Sequence, residues 1–182
     1  MSKKHKVITV TGTPGTGKTT IAKRLAKMSG SRYVDVNQII RKERLSEGFD
    51  RKRRCKIIDA KRLNKALIKA IRESEKGLVI DSHLSHYLPK KYVDLCIVTR
   101  CDIKTLNRRL KKRGYTKAKI RENLNAEIFD TIWLEARQVR HHVISAYTSN
   151  RWVISHFLSD FDKFIKGKGS LKKEYKKGKI GV

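Results

Sequence analysis

The sequence predicts an α/β fold in three layers, with helices on both faces of a parallel sheet. Three observations carry this. Short β-branched runs alternate with segments of helical period along the 182 residues, the pattern of strands joined by right-handed helical crossovers. The first run ends in a glycine-rich loop that opens a helix. A later run, residues 77–81, ends on a carboxylate, Asp81.

The elements follow in order. Residues 6–10 (KVITV) read as a buried strand. A helix is expected over 18–29, with Gly30 at its C′ position. Residues 32–36 form a second strand, and 37–54, polar and basic around Gly48, a short helix and a mobile excursion. Leu63, Ala66, Leu67, Ala70 and Ile71 recur at helical spacing within 59–72. Strands are expected at 77–81 and 94–99, and a basic helix at 104–112, stopped by Gly114. The spacing of Ile120, Leu124, Ile128, Ile132, Val139 and Val143 predicts one long helix over 116–147. A fifth strand at 151–155 and a short helix at 160–165 complete the domain, 1–166. The remainder, 167–182, is Lys-rich and reads as a disordered or RNA-seeking tail.

Composition narrows the setting. Lys and Arg total 45 against 17 Asp and Glu, a net charge of +28. Such a charge repels itself unless a polyanion is near, and RNA is the first candidate. A thermophile surface would be richer in Glu. Cys55, Cys96 and Cys101 give neither a disulfide framework nor a zinc spacing, so they are read as core or incidental thiols. The first apolar run is too short for a signal peptide or a membrane span, so a soluble cytoplasmic protein is expected.

Residues 12–19 (GTPGTGKT) meet the pattern G-x-x-x-x-G-K-[ST] in full. Gly15 and Gly17 permit torsions that a Cβ forbids and let backbone amides reach phosphate oxygens. Lys18 supplies a point charge for the β- and γ-phosphates. Thr19 offers a hydroxyl to Mg²⁺, and the helix that follows points its positive end at the phosphates. The loop is therefore read as a site for a nucleoside triphosphate with Mg²⁺.

Phosphoryl transfer also needs a carboxylate near the metal, and Asp81 at a strand end fits. His83, two residues on, is placed to orient a water, hold an acceptor phosphate or tune Asp81. Arg108, Arg109 and Arg113, beside the Gly114 hinge, read as a lid that covers developing charge. Arg41 lies where an acceptor phosphate would be held. A guanine reader is missing: Asn64 and Lys65 are followed by Ala66 and Leu67, with no Asp.

These residues together resemble a family. The loop 12–20, the strand end 79–83 (VIDSH), 110–115 (LKKRGY) and 127–129 (EIF) are similar to the atypical adenylate kinases of the CINAP type, also called adenylate kinase isoenzyme six. The resemblance implies a P-loop NMP-kinase-like fold with a five-stranded parallel core. It implies ATP and Mg²⁺ as donor and cofactor, AMP or another NMP as acceptor, and an accompanying ATPase activity. It implies a role in late maturation of the small ribosomal subunit, with a platform protein and rRNA as partners and no membrane. Gly15, Gly17, Lys18, Thr19, Thr20 and Arg113 would bind ATP, and Arg109 and Arg41 would neutralise substrate charge. Thr19 and Asp81 would hold the metal, and Asp81 and His83 would bear on hydrolysis. The NMP-binding region would span about 35–58 and the lid about 112–122.

The chain also departs from the family. Eukaryotic members are acidic across the stretch matching 50–61, which here carries Arg51, Lys52, Arg53, Arg54, Lys56 and Lys61. They have Tyr where this chain has Ser82. The departures bear on acceptor choice and favour direct RNA contact. Two alternatives stay open: an ATP-gated pre-ribosome assembly ATPase with little kinase activity, and a kinase for another small acceptor.

Overall fold

The computed structural model describes residues 6–51 and 55–176, with the side chains of residues 55 and 56 excepted. The Cys55 side chain, the basic residues 52–54, the side chain of residue 56, and residues 177–182 of the expected tail lie outside the described residues.

The chain runs β1 (Val7–Thr11), α1 (Lys18–Ser29), β2 (Arg32–Asp35), α2 (Val36–Lys42), β3 (Ser46–Asp50), β4 (Cys55–Ile58), α3 (Ala60–Arg72) and β5 (Leu78–Asp81). It continues with β6 (Leu95–Arg100), α4 (Ile103–Lys112), α5 (Lys117–Ile128), α6 (Thr131–Gln138), β7 (Val143–Tyr147), α7 (Arg151–Ile165) and β8 (Glu174–Tyr175). The main sheet has the order β2-β5-β1-β6-β7-β8 and every pairing in it is parallel. β3 and β4 form a separate antiparallel hairpin. The sheet thus has six strands where five were expected, the sixth being the two-residue edge strand β8.

Both faces of the sheet are covered, as the near-continuous apolar strands require. Alternate residues of each strand feed two cores. Val7, Leu78, Ile80, Cys96, Val98 and Val143 join α3 and α6 on one face. Ile8, Val10, Val79, Leu95, Ile97 and Ile144 join α1 and α7 on the other. Cys96 is a buried core residue and Cys101 is likewise buried. A smaller cluster, Cys101, Leu106, Leu110 and Ile120, pins α4 to α5 over the C-terminal end of the strands.

Helix starts follow local chemistry. The Asp59, Asp102, Thr116 and Asn150 side chains each accept a backbone N–H of the helix they cap. Gly30 closes α1 in the left-handed region, as expected.

Three sequence expectations are corrected. The long helix over 116–147 is two helices and a strand: Asp130 (φ 54) breaks it, Arg140 (φ 62) ends the second piece, and the apolar run 143–147 enters the sheet. The fifth strand is therefore β7, and 151–155 is the start of α7. Val153, Phe157 and Phe161, at i, i+4 and i+8, are the buried stripe of α7, each worth about 2–3 kcal/mol of apolar burial. Third, part of the stretch expected as a tail is folded. After Gly167 (φ 69) the chain returns as β8, with Ser145 opposite Glu174 and Ala146 opposite Tyr175. Tyr175 is buried, its ring sits edge-on to Phe157 at 5.1 Å, and its hydroxyl donates to Asp160 at 3.1 Å. Among the described residues, no helix is long and apolar enough to cross a membrane.

Candidate active site

β1 lies between β5 and β6; the crossover from β1 runs to β2 on one side, and that from β6 runs to β7 on the other. This is the switch point of an open α/β sheet, where ligands collect beyond the strand ends. The loop 12–17 leaves β1 there and runs into α1. A Cβ on Gly12 (φ 137) would meet Thr99 O at 2.4 Å, and one on Gly15 (φ 96) would meet a Leu106 methyl at 2.9 Å. The loop is therefore clamped between the end of β6 and α4.

Hydroxyl groups brace it from beneath. Thr16 Oγ1 and Thr99 Oγ1 meet at 2.7 Å, with Thr13 O at 2.8 Å from the first and Thr11 O at 3.1 Å from the second. Two hydroxyl protons serve three contacts, so the set is held as a network. Thr148, just past β7, donates to Thr16 O. Arg109 Nη1 donates to Gly15 O at 3.3 Å and Thr148 Oγ1 at 3.2 Å, and its Nη2 donates to Thr148 O at 3.2 Å. One guanidinium thus ties the loop to the β7–α7 turn.

Lys18 Nζ donates to Thr13 O at 3.1 Å. Desolvation pushes its pKa down to about 8, against the opposing pull of Asp81, with Arg113 lowering it further. The desolvated amine is poised for an anion that would stabilise its charge. Asp81 is buried, and its Oδ2 accepts from Thr19 Oγ1 at 2.6 Å and from the Tyr33 hydroxyl at 2.9 Å. Desolvation and hydrogen bonding to Asp81 push the Tyr33 pKa up, so it stays a donor. Among the described residues no cluster of three or more metal-ligating side chains exists. A hydroxyl and a carboxylate oxygen 2.6 Å apart do suit Mg²⁺, which takes few protein ligands and completes its shell with phosphate and water.

His83 stands beyond Asp81. Desolvation, followed by the Lys18, His86 and Lys119 charges, pushes its pKa down to about 4. The residue is solvent-exposed, so the neighbouring cations are the firmer reason for a neutral imidazole at pH 7. Glu127, buried on α5, accepts the Cys101 N–H at 2.9 Å, and burial raises its pKa.

Two cavities open near this centre. One, of about 710 Å³, is lined by Gly15, Gly17, Thr20, Arg109, Arg113 and Arg151 among others. The second, of about 560 Å³, lies against α2 and is lined by Asp35, Asn37, Arg41, Ile58, His83 and Leu84 among others.

The structure brings together Gly15, Gly17, Lys18, Thr19, Thr20, Asp81 and Arg113, with His83 and Arg41 across the centre in the second cavity. Arg109, grouped with Arg41 from sequence, stands on the loop side instead, because its guanidinium is held by Gly15 and Thr148. Sequence reasoning assigned nothing to Tyr33 or Thr148, and no role to Glu127. The sequence signal for Glu127 is its place in the 127–129 (EIF) run that carries the family resemblance.

A glycine-rich loop at the switch point of a parallel sheet, with a strand-end carboxylate facing its Lys-Thr pair, defines a P-loop kinase. Residues 8–130 match the family described as AAA domain. An adenylate kinase isoenzyme 6 homolog of Caenorhabditis elegans is 36% identical over 131 residues, 72% of each chain. The homolog of the same name from Dictyostelium discoideum is 38% identical over 134 residues, 71% of this chain and 73% of that one. The chain belongs to the adenylate kinase isoenzyme 6 family. A solved shikimate kinase from Acinetobacter baumannii, in complex with shikimate, superposes with a TM-score of 0.60 over 91% of this chain and 95% of that one. At 16% identity this likeness shows the P-loop kinase fold alone.

Proposed function

We propose that the protein is a nucleoside monophosphate kinase that moves the γ-phosphoryl group of ATP to AMP, giving two ADP. The observation that carries this is a pair of cavities, one lined by Gly15 and Gly17 of the phosphate loop with Arg113, and one against α2 lined by Arg41 and His83. A hydrolase needs room for one nucleotide and a water, whereas a transferase needs two substrate sites facing one another.

The loop amides and the start of α1 would receive the polyphosphate. Lys18, Arg113 and the charge of Arg109 would spread over the oxygens that gain charge in the transition state. Mg²⁺ held by Thr19 and Asp81 would neutralise phosphate charge and align the chain of phosphates. Tyr33 fixes the rotamer of Asp81 so that one oxygen faces Thr19. Arg41 would anchor the acceptor phosphate, and the neutral His83 would accept or relay a hydrogen bond at the acceptor without adding charge. The α4–α5 pair acts as the lid that expels water, and its incomplete closure would yield a slow ATPase.

A second reading has one specific observation in its favour. The net charge of +28 exceeds what a small-metabolite kinase needs, which supports an ATP-gated assembly factor acting in the cytoplasm on pre-ribosomal RNA of the small subunit with a platform protein. The two activities are compatible in one chain.

The test is a bisubstrate analogue, two adenosines joined by a polyphosphate chain. It should bind once per chain and compete with both ATP and AMP, and Lys18→Ala should abolish both effects. Competition with ATP alone would show that the α2 cavity is not a nucleotide site.

A further inference from the structure

The positive charge is not spread evenly. Residues 102–124, covering α4 and most of α5, hold nine Lys and Arg against two carboxylates, Asp102 and Glu122. Residues 151–165 of α7 hold two against two. Asp102 serves as the N-cap of α4. Arg109 turns inward to Gly15 and Thr148.

Lys104, Arg108 and Lys111 recur at i, i+4 and i+7, so they form one stripe along α4. All three are exposed, and none makes an ion pair among the described residues. The contrast is α3, which carries five Lys and Arg of its own. There Arg62 pairs with Glu47, Lys69 with Glu73, and Arg72 bonds Tyr92. Against α3, the α4 stripe is uncompensated.

The partner's chemistry follows by elimination. A membrane-surface helix would show an apolar face beside its cations, but Leu106 and Leu110 of α4 are fully buried in the α4–α5 core. An acidic protein partner would need an exposed aromatic or aliphatic anchor, and the only large hydrophobic exposed on α4 is Ile103, at 37%. What remains is a ligand held by charge alone, a nucleic-acid backbone.

We propose that the outer face of α4, through Lys104, Arg108 and Lys111, is the site that holds the phosphates of single-stranded RNA. This deepens the RNA-associated reading above and does not depend on the identity of the phosphoryl acceptor. The helix is then two-sided: Arg109 braces the nucleotide loop while the opposite stripe grips RNA.

The probe is a fluorescein-labelled oligouridylate, with affinity read by anisotropy across a salt series. Lys104→Ala, Arg108→Ala and Lys111→Ala are combined in one variant, and Ala keeps the helix. Its control is Lys65→Ala, Lys69→Ala and Arg72→Ala on α3, which has the same spacing and the same charge loss. Circular dichroism verifies that both variants fold. The slope of log K against log salt should flatten by about two in the α4 variant and stay unchanged in the control. Equal flattening in both variants, or none in the α4 variant, overturns the placement. If the unmodified protein does not bind the oligouridylate, or binds polyglutamate equally well, the RNA reading itself falls along with the site.

Discussion

Raising the pH from 7.5 to 9.5 should weaken ATP binding by about 20-fold, because Lys18 loses its proton in that interval. Burial places its pKa near 8 in the nucleotide-free site. A lysine in water keeps its charge until above pH 10, so an ordinary surface amine predicts a flat profile here. The sign is fixed by the direction of the shift. The charged amine attracts polyphosphate, the charge is present below the lowered pKa, and affinity falls as pH rises through it. About three-quarters of the amines are charged at pH 7.5 and a few per cent at pH 9.5, which sets the magnitude. Binding should therefore take up protons, increasingly as the pH rises from 7.5 to 9.5, since the phosphates keep the bound amine charged. Titration calorimetry in two buffers of different ionisation enthalpy reads both the affinity and the proton uptake. Lys18→Ala should bind weakly, with a flat profile. Constant wild-type affinity to pH 9.5, with no proton uptake, would refute the lowered pKa and the desolvated site it reflects.

Three further outcomes test the frame around Lys18. Gly12→Ala should lose about 2–5 kcal/mol in urea unfolding, from strained backbone and a Cβ against Thr99 O at 2.4 Å. Gly30→Ala, with nothing within 4 Å of the added Cβ, should lose only about 1–2 kcal/mol; equal losses would deny the clamp. Tyr33→Phe should raise the Mg²⁺ needed for half-maximal turnover by about tenfold, the worth of one hydrogen bond to a carboxylate, and an unchanged Mg²⁺ titration would leave Tyr33 without a role. Arg109→Lys keeps the charge but not the planar fork. It should raise the KM for ATP and leave that for AMP unchanged, whereas a rise in the AMP value would return Arg109 to the acceptor side.

The loop, α1 and Asp81 were legible because each is a local signal: a spaced motif, a helical stripe, a carboxylate at the end of an apolar run. Failures came where periods coincide. Val139 and Val143 continue the helical spacing from Ile120, and only the left-handed Asp130 and Arg140 separate α5, α6 and β7. The Val153 and Ile154 pair reads as a strand, although Phe157 and Phe161 complete a helical stripe with Val153. Part of the Lys-rich tail is structural because Tyr175 finds Phe157 and Asp160, contacts that no composition reveals. Tyr33 and Thr148 were invisible for the same reason. Tyr33 reaches Asp81 across 48 residues through the pairing of β2 with β5, and Thr148 meets Arg109 across 39. The placement of Arg109 likewise depends on which way α4 docks, which its sequence does not encode.

Central to the account is that both cavities take nucleotides and that the γ-phosphoryl group passes between them. The most direct measurement is ATP turnover in Mg²⁺ buffer with and without AMP, with ADP and free phosphate quantified separately. The account predicts that AMP is consumed, that two ADP appear for each ATP, and that little free phosphate forms. Slow phosphate release indifferent to AMP would contradict it and leave an ATPase in place of the kinase.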